Sequence, residues 1–190
     1  MRRSNKERTE SMRLALMDAA RTLFIDKGYA ETATPEIVAL AGVTRGALYH
    51  HFEDKRALFR AVIEREAAEV AAEIEASSPA GSSPREAILK GTGAYFDAMA
   101  TPGRTRLLLL DGPAVLGPDL MRAIDAEAAE ASLKAGLGSL LKGTRNGDKA
   151  AMLAVLLSAA FDRAALAIEA GANRRICEDA IAALIDGLGG

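Results

Sequence analysis

Two helix starts on either side of Gly42 constrain the fold of this chain more than any other feature. Thr34 places a capping hydroxyl before Pro35, and Thr44 offers a second one two residues after Gly42. Glycine commonly ends a helix, so the sequence predicts a helix of about seven residues followed at once by another. Such a pair with a three-residue turn matches helix-turn-helix geometry, in which the second helix lies in a DNA major groove. A packing corner in an all-α protein has the same spacing.

Composition extends the helical prediction to all 190 residues. Aromatic residues make up only 4%, tryptophan is absent, and there is no run of four β-branched residues. Alanine and leucine favour helices, whereas strands favour the residue types that are scarce here. We therefore expect an all-α fold of about nine helices.

The spacing of apolar residues and of glycine and proline predicts the helix boundaries. Ser11 is a plausible N-cap for the first helix and Gly28 its end, and Asp54 can cap the fourth. Four leucines at 107–110 are apolar all round, which predicts burial, and the glycine–proline pairs after them predict a kinked segment beside a cavity. After the two short helices, the remaining helices are predicted at residues 12–27, 55–76, 85–100, 104–111, 119–141, 149–170 and 174–188.

Charge is distributed unevenly along the chain. Residues 1–60 carry 11 Lys and Arg against 8 Asp and Glu, whereas residues 61–190 carry 13 against 18. The basic excess is sharpest in the first eight residues, where Arg2, Arg3, Lys6 and Arg8 are offset only by Glu7. Such an arm is either disordered and solvated or a contact to DNA phosphates or the minor groove. A basic N-terminal part in an otherwise acidic chain points to a polyanionic partner for residues 1–60.

Several function classes find little support. Cys177 is the only cysteine, so neither an internal disulfide nor a thiolate metal site can form, and adjacent His50 and His51 point to different sides of a helix. The N-terminus lacks the apolar core of a signal peptide, and the longest nearly apolar run, residues 150–161, is shorter than the about 20 residues that span a bilayer. We expect a soluble cytoplasmic protein that is not an enzyme and has no cofactor or metal.

The residue types of the second short helix favour DNA over a packing corner. Val43, Leu48 and Phe52 recur about once per turn and can face inward, which directs Arg45, Ala47, His50 and His51 outward. The arginine fork matches guanine edges, while Thr, Tyr, His and Lys suit phosphate oxygens. Gly46 costs about 1 kcal/mol inside a helix relative to alanine, which indicates a close approach of the backbone to something large.

The stretch IVALAGVTRGALYHHFEDKRAL at residues 37–58, together with ARTLF at 20–24 and Gly28–Tyr29, resembles the DNA-binding signature of the TetR family of transcriptional regulators. The resemblance covers about 50 residues and implies a homodimer of helical subunits. By position it implies phosphate contacts from Thr34, Thr44, Tyr49, His51 and Lys55, and base contacts from Arg45, Gly46, Ala47 and His50. Pro35 departs from family members that place a basic base-reading residue there, which leaves more of the reading to Arg45.

The resemblance also implies a division of labour. Residues 1–60 would form the DNA-binding domain and residues 61–190 a helical domain that binds an effector and dimerises through helices 149–170 and 174–188. Adaptable apolar side chains would line the effector pocket: Tyr95, Phe96, Met99, Leu107, Leu110, Met121, Met152 and Phe161. Asp97, Asp111, Asp162 and Arg163 could anchor a polar group of the ligand, or pair with each other, or face water. The resulting hypothesis is a ligand-responsive repressor on a palindromic operator; the alternative is a helical adaptor without DNA function.

Overall fold

The computed structural model describes residues 5–77, 81–125, 133, 136–138 and 147–187, and all regular structure in these ranges is helical. A π-helical turn, Leu107–Asp111, separates α6 from α7. The helices are α1 (Asn5–Glu31), α2 (Thr34–Ala41), α3 (Arg45–His51), α4 (Lys55–Ala76), α5 (Pro84–Met99), α6 (Arg104–Arg106), α7 (Gly112–Leu116), α8 (Pro118–Asp125), α9 (Gly147–Glu169) and α10 (Arg174–Asp186). The all-α prediction is confirmed.

The chain forms two compact units. The N-terminal unit comprises Met1–Glu66 and Arg106–Met121, and the C-terminal unit comprises Ala67–Thr105 and Arg122–Gly190. The first boundary lies inside α4. The division of function between residues 1–60 and 61–190 stays a prediction, since packing alone does not assign a role to either unit.

The first helix is longer than the sequence predicts. It begins at Asn5, so Ser11 lies inside it and is not its N-cap, and Lys6 and Arg8 are exposed helical residues rather than parts of a disordered arm. Gly28 interrupts the regular helix at φ 83°, where a residue with a Cβ atom is strained. Arg2 and Arg3 lie outside the described residues.

Aromatic packing holds α1 against α4 in the N-terminal unit. Phe24 and Phe59 are fully buried, with ring centroids 5.1 Å apart and an edge-to-face orientation. Tyr29 meets Phe59 at 5.0 Å in a similar geometry. Aromatic pairs at these distances each stabilise a core by about 0.5–1.5 kcal/mol beyond their buried area, so this cluster fixes the end of α1 over the start of α4.

Two ion pairs tie the same helices together farther along. Arg21 donates from Nε to Glu66 Oε1 at 2.8 Å and from Nη2 to Glu66 Oε2 at 3.2 Å, and the Glu66 side chain is only 1% exposed. Arg65 pairs with Asp18 at 2.7 Å. A buried carboxylate needs such a partner, because an unpaired charge in a protein core is strongly destabilising.

The segment after α6 also packs in the N-terminal unit. Its four leucines do not form an ordinary buried helix as predicted: Leu107 and Leu108 are buried, but Leu110 is 50% exposed on the π-helical turn. The pair Gly112–Pro113 does not interrupt the helical structure, because Pro113 occupies the first turn of α7, where its missing N–H is tolerated. Arg56 of α4 donates to the carbonyls of Val115 and Leu116, at 3.3 and 3.1 Å.

A buried arginine organises one end of the C-terminal unit. Arg104 is 3% exposed and donates to Glu69 at 2.6 Å, to Glu73 at 2.9 Å and to the Ala98 carbonyl at 2.9 Å. At the other end, Arg174 of α10 pairs with Asp97 of α5 at 2.5 Å, and Arg85 pairs with Asp186. These contacts fix α5 relative to α4 and α10.

The last two helices have one buried and one uncovered face. Ala154, Leu157, Phe161 and Ala165 of α9 pack inward, as do Ile181 and Ile185 of α10. Large apolar side chains on the other faces are exposed by half or more: Met152, Val155, Leu156, Ile176 and Leu184. The predicted helices 149–170 and 174–188 correspond to α9 and α10. The first part of the predicted helix 119–141 corresponds to α8. Most of the rest of that predicted helix lies outside the described residues.

The stretch Ala150–Glu169 of α9 has a mean hydropathy of 1.8 and would be long enough, by length and composition, to cross a membrane. By that measure the apolar stretch is longer than the run of residues 150–161 predicted from the sequence. Its inward-facing residues nevertheless belong to the core of the C-terminal unit, as expected for a helix of a folded domain. Only its outer face lacks cover among the described residues.

Candidate DNA-binding surface and effector site

The cap of α3 is built as predicted. Thr44 is extended, with φ −82° and ψ 156°, and its Oγ1 accepts a hydrogen bond from the Ala47 N–H at 3.2 Å. Gly42 adopts φ 67° at the end of α2, a left-handed conformation that glycine reaches without strain. The turn therefore positions α3 directly after α2.

The start of α2 differs from its prediction. The N-cap is Ala33 rather than Thr34; alanine has no side-chain acceptor for the first turn, and the Glu36 carboxylate accepts the Ala33 N–H at 3.1 Å. Thr34 is half-buried in the first turn, and Pro35 beside it is exposed. The Thr34 hydroxyl is therefore not used to cap α2, and it stays a candidate donor to a DNA phosphate.

The inner face of α3 anchors it to the N-terminal unit. Leu48 is fully buried and Phe52 is 6% exposed, as predicted, while Val43 in the preceding turn is half-buried. Arg45, Tyr49 and His50 are exposed, and Ala47 is half-buried. Thus α3 presents an arginine, a tyrosine and a histidine to solvent from a fixed helix.

The Arg45 side chain contacts the ring of Tyr49, one turn later on α3. The Cζ atom of its guanidinium lies 5.5 Å from the centroid of the Tyr49 ring, within the range of a cation–π interaction. The exposed side chain is therefore held along α3 before any partner binds.

No close contact among the described residues requires a glycine at position 46. A Cβ atom built there would meet only Thr44 Oγ1, at 3.9 Å, which is an ordinary contact. The exposed position leaves free space above the backbone, as the predicted close approach of an outside partner requires.

His51 is less accessible than the sequence predicts. The side chain is half-buried, and its Nε2 atom is buried without a hydrogen-bond partner among the described residues. Burial lowers the pKa of His51, and the nearby His50 and Arg13 lower it further. A contact to a phosphate would have to come from Nδ1.

Lys55 has internal partners that the sequence does not reveal. Its Nζ donates to the carbonyls of Tyr29 at 2.8 Å and Thr32 at 2.9 Å, and it lies 4.3 Å from the Tyr29 ring centroid. The ammonium group therefore closes the end of α1, and one of its three N–H donors is left for a phosphate. Asp54, one residue earlier, caps α4 as predicted by accepting the Ala57 N–H at 2.6 Å.

Only some of the predicted effector residues lie together. Tyr95, Phe96 and Phe161 form one aromatic cluster in the C-terminal unit, with the Tyr95 centroid 5.7 Å from Phe96 and 6.2 Å from Phe161. Met99, buried in the same unit, follows Tyr95 and Phe96 on α5, whereas Phe161 lies on α9. Leu107, Leu110 and Met121 belong instead to the N-terminal unit.

Two of these residues are exposed. Met152 is 58% exposed on the outer face of α9, and Leu110 is 50% exposed, so neither is retained in the proposed pocket.

The four charged candidates also separate. Asp97 is exposed and paired with Arg174, Asp111 lies 3.2 Å from Arg106, and Arg163 is exposed. Asp162 alone reaches the aromatic cluster, where its Oδ1 accepts a hydrogen bond from the Tyr95 hydroxyl at 2.6 Å.

Two family models cover most of the chain. Residues 16–62 match the model described as bacterial regulatory proteins of the tetR family, and residues 85–188 match a tetracycline repressor-like C-terminal domain. The chain belongs to the TetR family. The family consists of DNA-binding transcriptional regulators rather than enzymes, and the N-terminal unit contains the segment that matches the family's regulatory-protein model.

Known TetR-family proteins extend this comparison. The transcriptional repressor BepR of Brucella suis is 45% identical over 65 residues, and the regulator AcrR of Shigella flexneri is 42% identical over 64. These matches span 34% of this chain but only 31% and 30% of the two relatives.

A solved structure matches the chain over nearly its whole length. The crystal structure of a TetR-family regulator from Pectobacterium atrosepticum is 30% identical, with a TM-score of 0.70, and the match covers 98% of this chain and 95% of that one. The chain therefore has the all-α fold of the TetR family, with a helix-turn-helix in its N-terminal part.

Proposed function

We propose that this protein is a ligand-responsive transcriptional repressor that binds a palindromic operator as a homodimer. The exposed row on α3 supports the DNA role most directly, because Arg45, Tyr49 and His50 project from a helix fixed by Thr44 and Leu48. In this arrangement Arg45 reads a base edge, together with Gly46, Ala47 and His50. Thr34, Thr44, Tyr49, His51 and Lys55 hold the phosphate backbone.

The uncovered faces of α9 and α10 support the homodimer. A second copy of the same two helices would bury these faces in a four-helix bundle with two-fold symmetry. Two recognition helices related by that symmetry would then meet two half-sites about one helical turn of DNA apart. A cytoplasmic location follows from this role, since the operator lies in the cytoplasm of a bacterium.

The aromatic cluster of Tyr95, Phe96 and Phe161 supports an effector site in the C-terminal unit. Aromatic and methionine side chains make adaptable apolar walls, and Asp162 adds a polar group to orient a ligand. An effector releases the operator only if its affinities for the DNA-free and operator-bound forms differ, with the DNA-free form bound more tightly.

Selection of bound genomic fragments by the purified protein tests this proposal. We expect a short set of inverted repeats, bound with an affinity that falls steeply as salt concentration rises, because phosphate contacts release counterions. Arg45→Ala should weaken a selected site by about 1–3 kcal/mol and relax one base position. Equal losses on selected and random DNA would contradict the reading role of Arg45.

The alternative is a helical adaptor that has lost DNA function. It predicts no binding to any duplex at low salt, where even nonspecific binders retain affinity. Failure to retain any fragment at low salt would therefore favour the adaptor.

A further inference from the structure

We propose that the effector site around Tyr95 and Asp162 is built for an organic cation with an apolar body. This inference rests on the proposed function, in which the C-terminal unit binds an effector. It goes further by naming the chemical class of that effector and the residue that selects it.

The first step is the isolation of the Asp162 carboxylate. The side chain lies on the inner half of α9 beside buried Phe161, and its described hydrogen bond comes from a neutral phenol. No ion pair joins it to a basic side chain within the described ranges, whereas Asp97 and Asp186 each have an arginine. Burial raises the pKa of Asp162, so the charged form lacks the compensation that a cation would give.

The second step is the aromatic surroundings. Tyr95 is in ring contact with both Phe96 and Phe161, so the carboxylate adjoins a cluster of three rings. An ammonium or other organic cation is attracted to the faces of such rings and to the carboxylate at the same time. A neutral ligand gains only the apolar contacts, and an anion is repelled.

The third step is the environment of the Tyr95 hydroxyl, which donates to Asp162. Burial raises the pKa of this hydroxyl, and the negative charge of Asp162 raises it further. Asp162 and all three rings belong to the C-terminal unit. The charge beside the rings is therefore that of a carboxylate, which favours positive charge in whatever enters.

Two small probes of opposite charge test the selectivity. We would titrate the full-length protein with benzyltrimethylammonium and with benzylsulfonate and measure binding by calorimetry or NMR. The proposal predicts that the cation binds at least tenfold more tightly than the anion. Equal binding of the two probes, or tighter binding of the anion, would overturn it.

Two substitutions separate ligand recognition from a merely structural hydrogen bond. Asp162→Asn keeps a side chain of the same size but removes the charge, and should weaken the cation at least tenfold. Tyr95→Phe keeps the ring and releases the carboxylate, so the cation should bind as tightly as before or more tightly. If both variants lost binding alike, or if Asp162→Asn had no effect, the carboxylate would have only a structural role.

Asp97→Asn is the matched control, because this carboxylate is exposed and already paired with Arg174. It should leave cation affinity unchanged, and an equal loss there would point to a diffuse charge effect and overturn the assignment to Asp162. Operator affinity without any probe tests the proposed function separately. Loss of DNA binding in that assay would refute the regulator, while the cation measurements would still decide the site.

Discussion

At the scale of single residues, the contact of the Arg45 guanidinium with the Tyr49 ring gives the tyrosine a second role beside its proposed phosphate contact. Cation–π contacts at exposed sites contribute about 0.5–1 kcal/mol, enough to bias the guanidinium toward one direction. Tyr49→Phe retains the ring and loses only the hydroxyl, so we expect a uniform loss of affinity on all sequences. Tyr49→Leu removes the ring as well and should also relax the base read by Arg45.

A fluorescence anisotropy series on the selected site and its single-base variants measures both effects. Identical specificity profiles for the two variants would show that the ring does not position Arg45. The parent protein and Arg45→Ala set the two limits of discrimination at that base.

Another residue-scale prediction concerns the buried pair of Arg21 and Glu66. Glu66→Ala removes a carboxylate that is 1% exposed and its two hydrogen bonds from Arg21, which is 24% exposed, so it should lower the free energy of unfolding by about 1.5–3 kcal/mol. Glu64→Ala, two residues earlier on α4, removes a carboxylate from an exposed pair with Arg60 and should cost about 1 kcal/mol or less. Urea unfolding at one fixed protein concentration compares them, and similar losses would contradict the importance of burial.

At the scale of elements, two glycines in helical conformation should respond oppositely to the same substitution. A Cβ atom at Gly112 would lie 3.0 Å from the Leu107 carbonyl oxygen and 3.0 Å from Met121 Sδ, so Gly112→Ala must displace the π-helical turn or α7. At Gly93 in α5 no atom of the described residues lies within 4 Å of an added Cβ, and Gly93→Ala should stabilise the protein by about 0.5–1 kcal/mol.

Thermal unfolding with circular dichroism checks both substitutions. A gain in stability for Gly112→Ala would mean that the π-helical turn relaxes at little cost. A loss for Gly93→Ala would mean that α5 packs against that position.

The helices themselves were mostly predictable from local chemistry. Residues 55–76 are helical as predicted, because Asp54 caps α4 and the turn residues after Ala76 end it. The misses have particular causes. Helical propensity extended α1 back through the polar segment before Ser11, and the N-cap of α2 lies at Ala33, one residue before the expected Thr34. The spacing of apolar residues did not predict the π-helical turn, in which the Gly112 N–H donates to the Leu107 carbonyl five residues earlier.

At the scale of the whole molecule, the proposed dimer gives a direct prediction. Leu156 is 58% exposed on the outer face of α9, and Leu156→Glu would place a charge in the proposed interface. We expect the variant to become monomeric in sedimentation or light-scattering measurements and to lose most operator affinity, because each half-site alone binds weakly. Leu14→Glu replaces an exposed leucine of α1, which belongs to the N-terminal unit, and should leave the oligomeric state unchanged.

A monomeric parent protein would contradict the proposed dimer outright. A dimeric Leu156→Glu variant would instead place the interface elsewhere.

The candidate sites were predictable to different degrees. The row on α3 follows from a cap and a 3.6-residue period, so Arg45, Tyr49 and His50 are exposed as expected. The partners of Lys55 and the pairing of Tyr95 with Asp162 join residues 23 to 67 positions apart, which only the folded chain brings together. For the same reason the predicted effector set mixed residues of the two compact units.

The contact of Arg56 with α7 has a consequence for how related sequences can diverge. The guanidinium binds main-chain carbonyls of Val115 and Leu116, so no side chain at those two positions is needed to keep the contact. The contact itself therefore places no constraint on the side chains at positions 115 and 116, and Leu116 is constrained only by its burial, at 5% exposure. An alignment would show arginine retained at position 56 without a covarying partner, and statistical methods that infer contacts from paired changes would overlook this link.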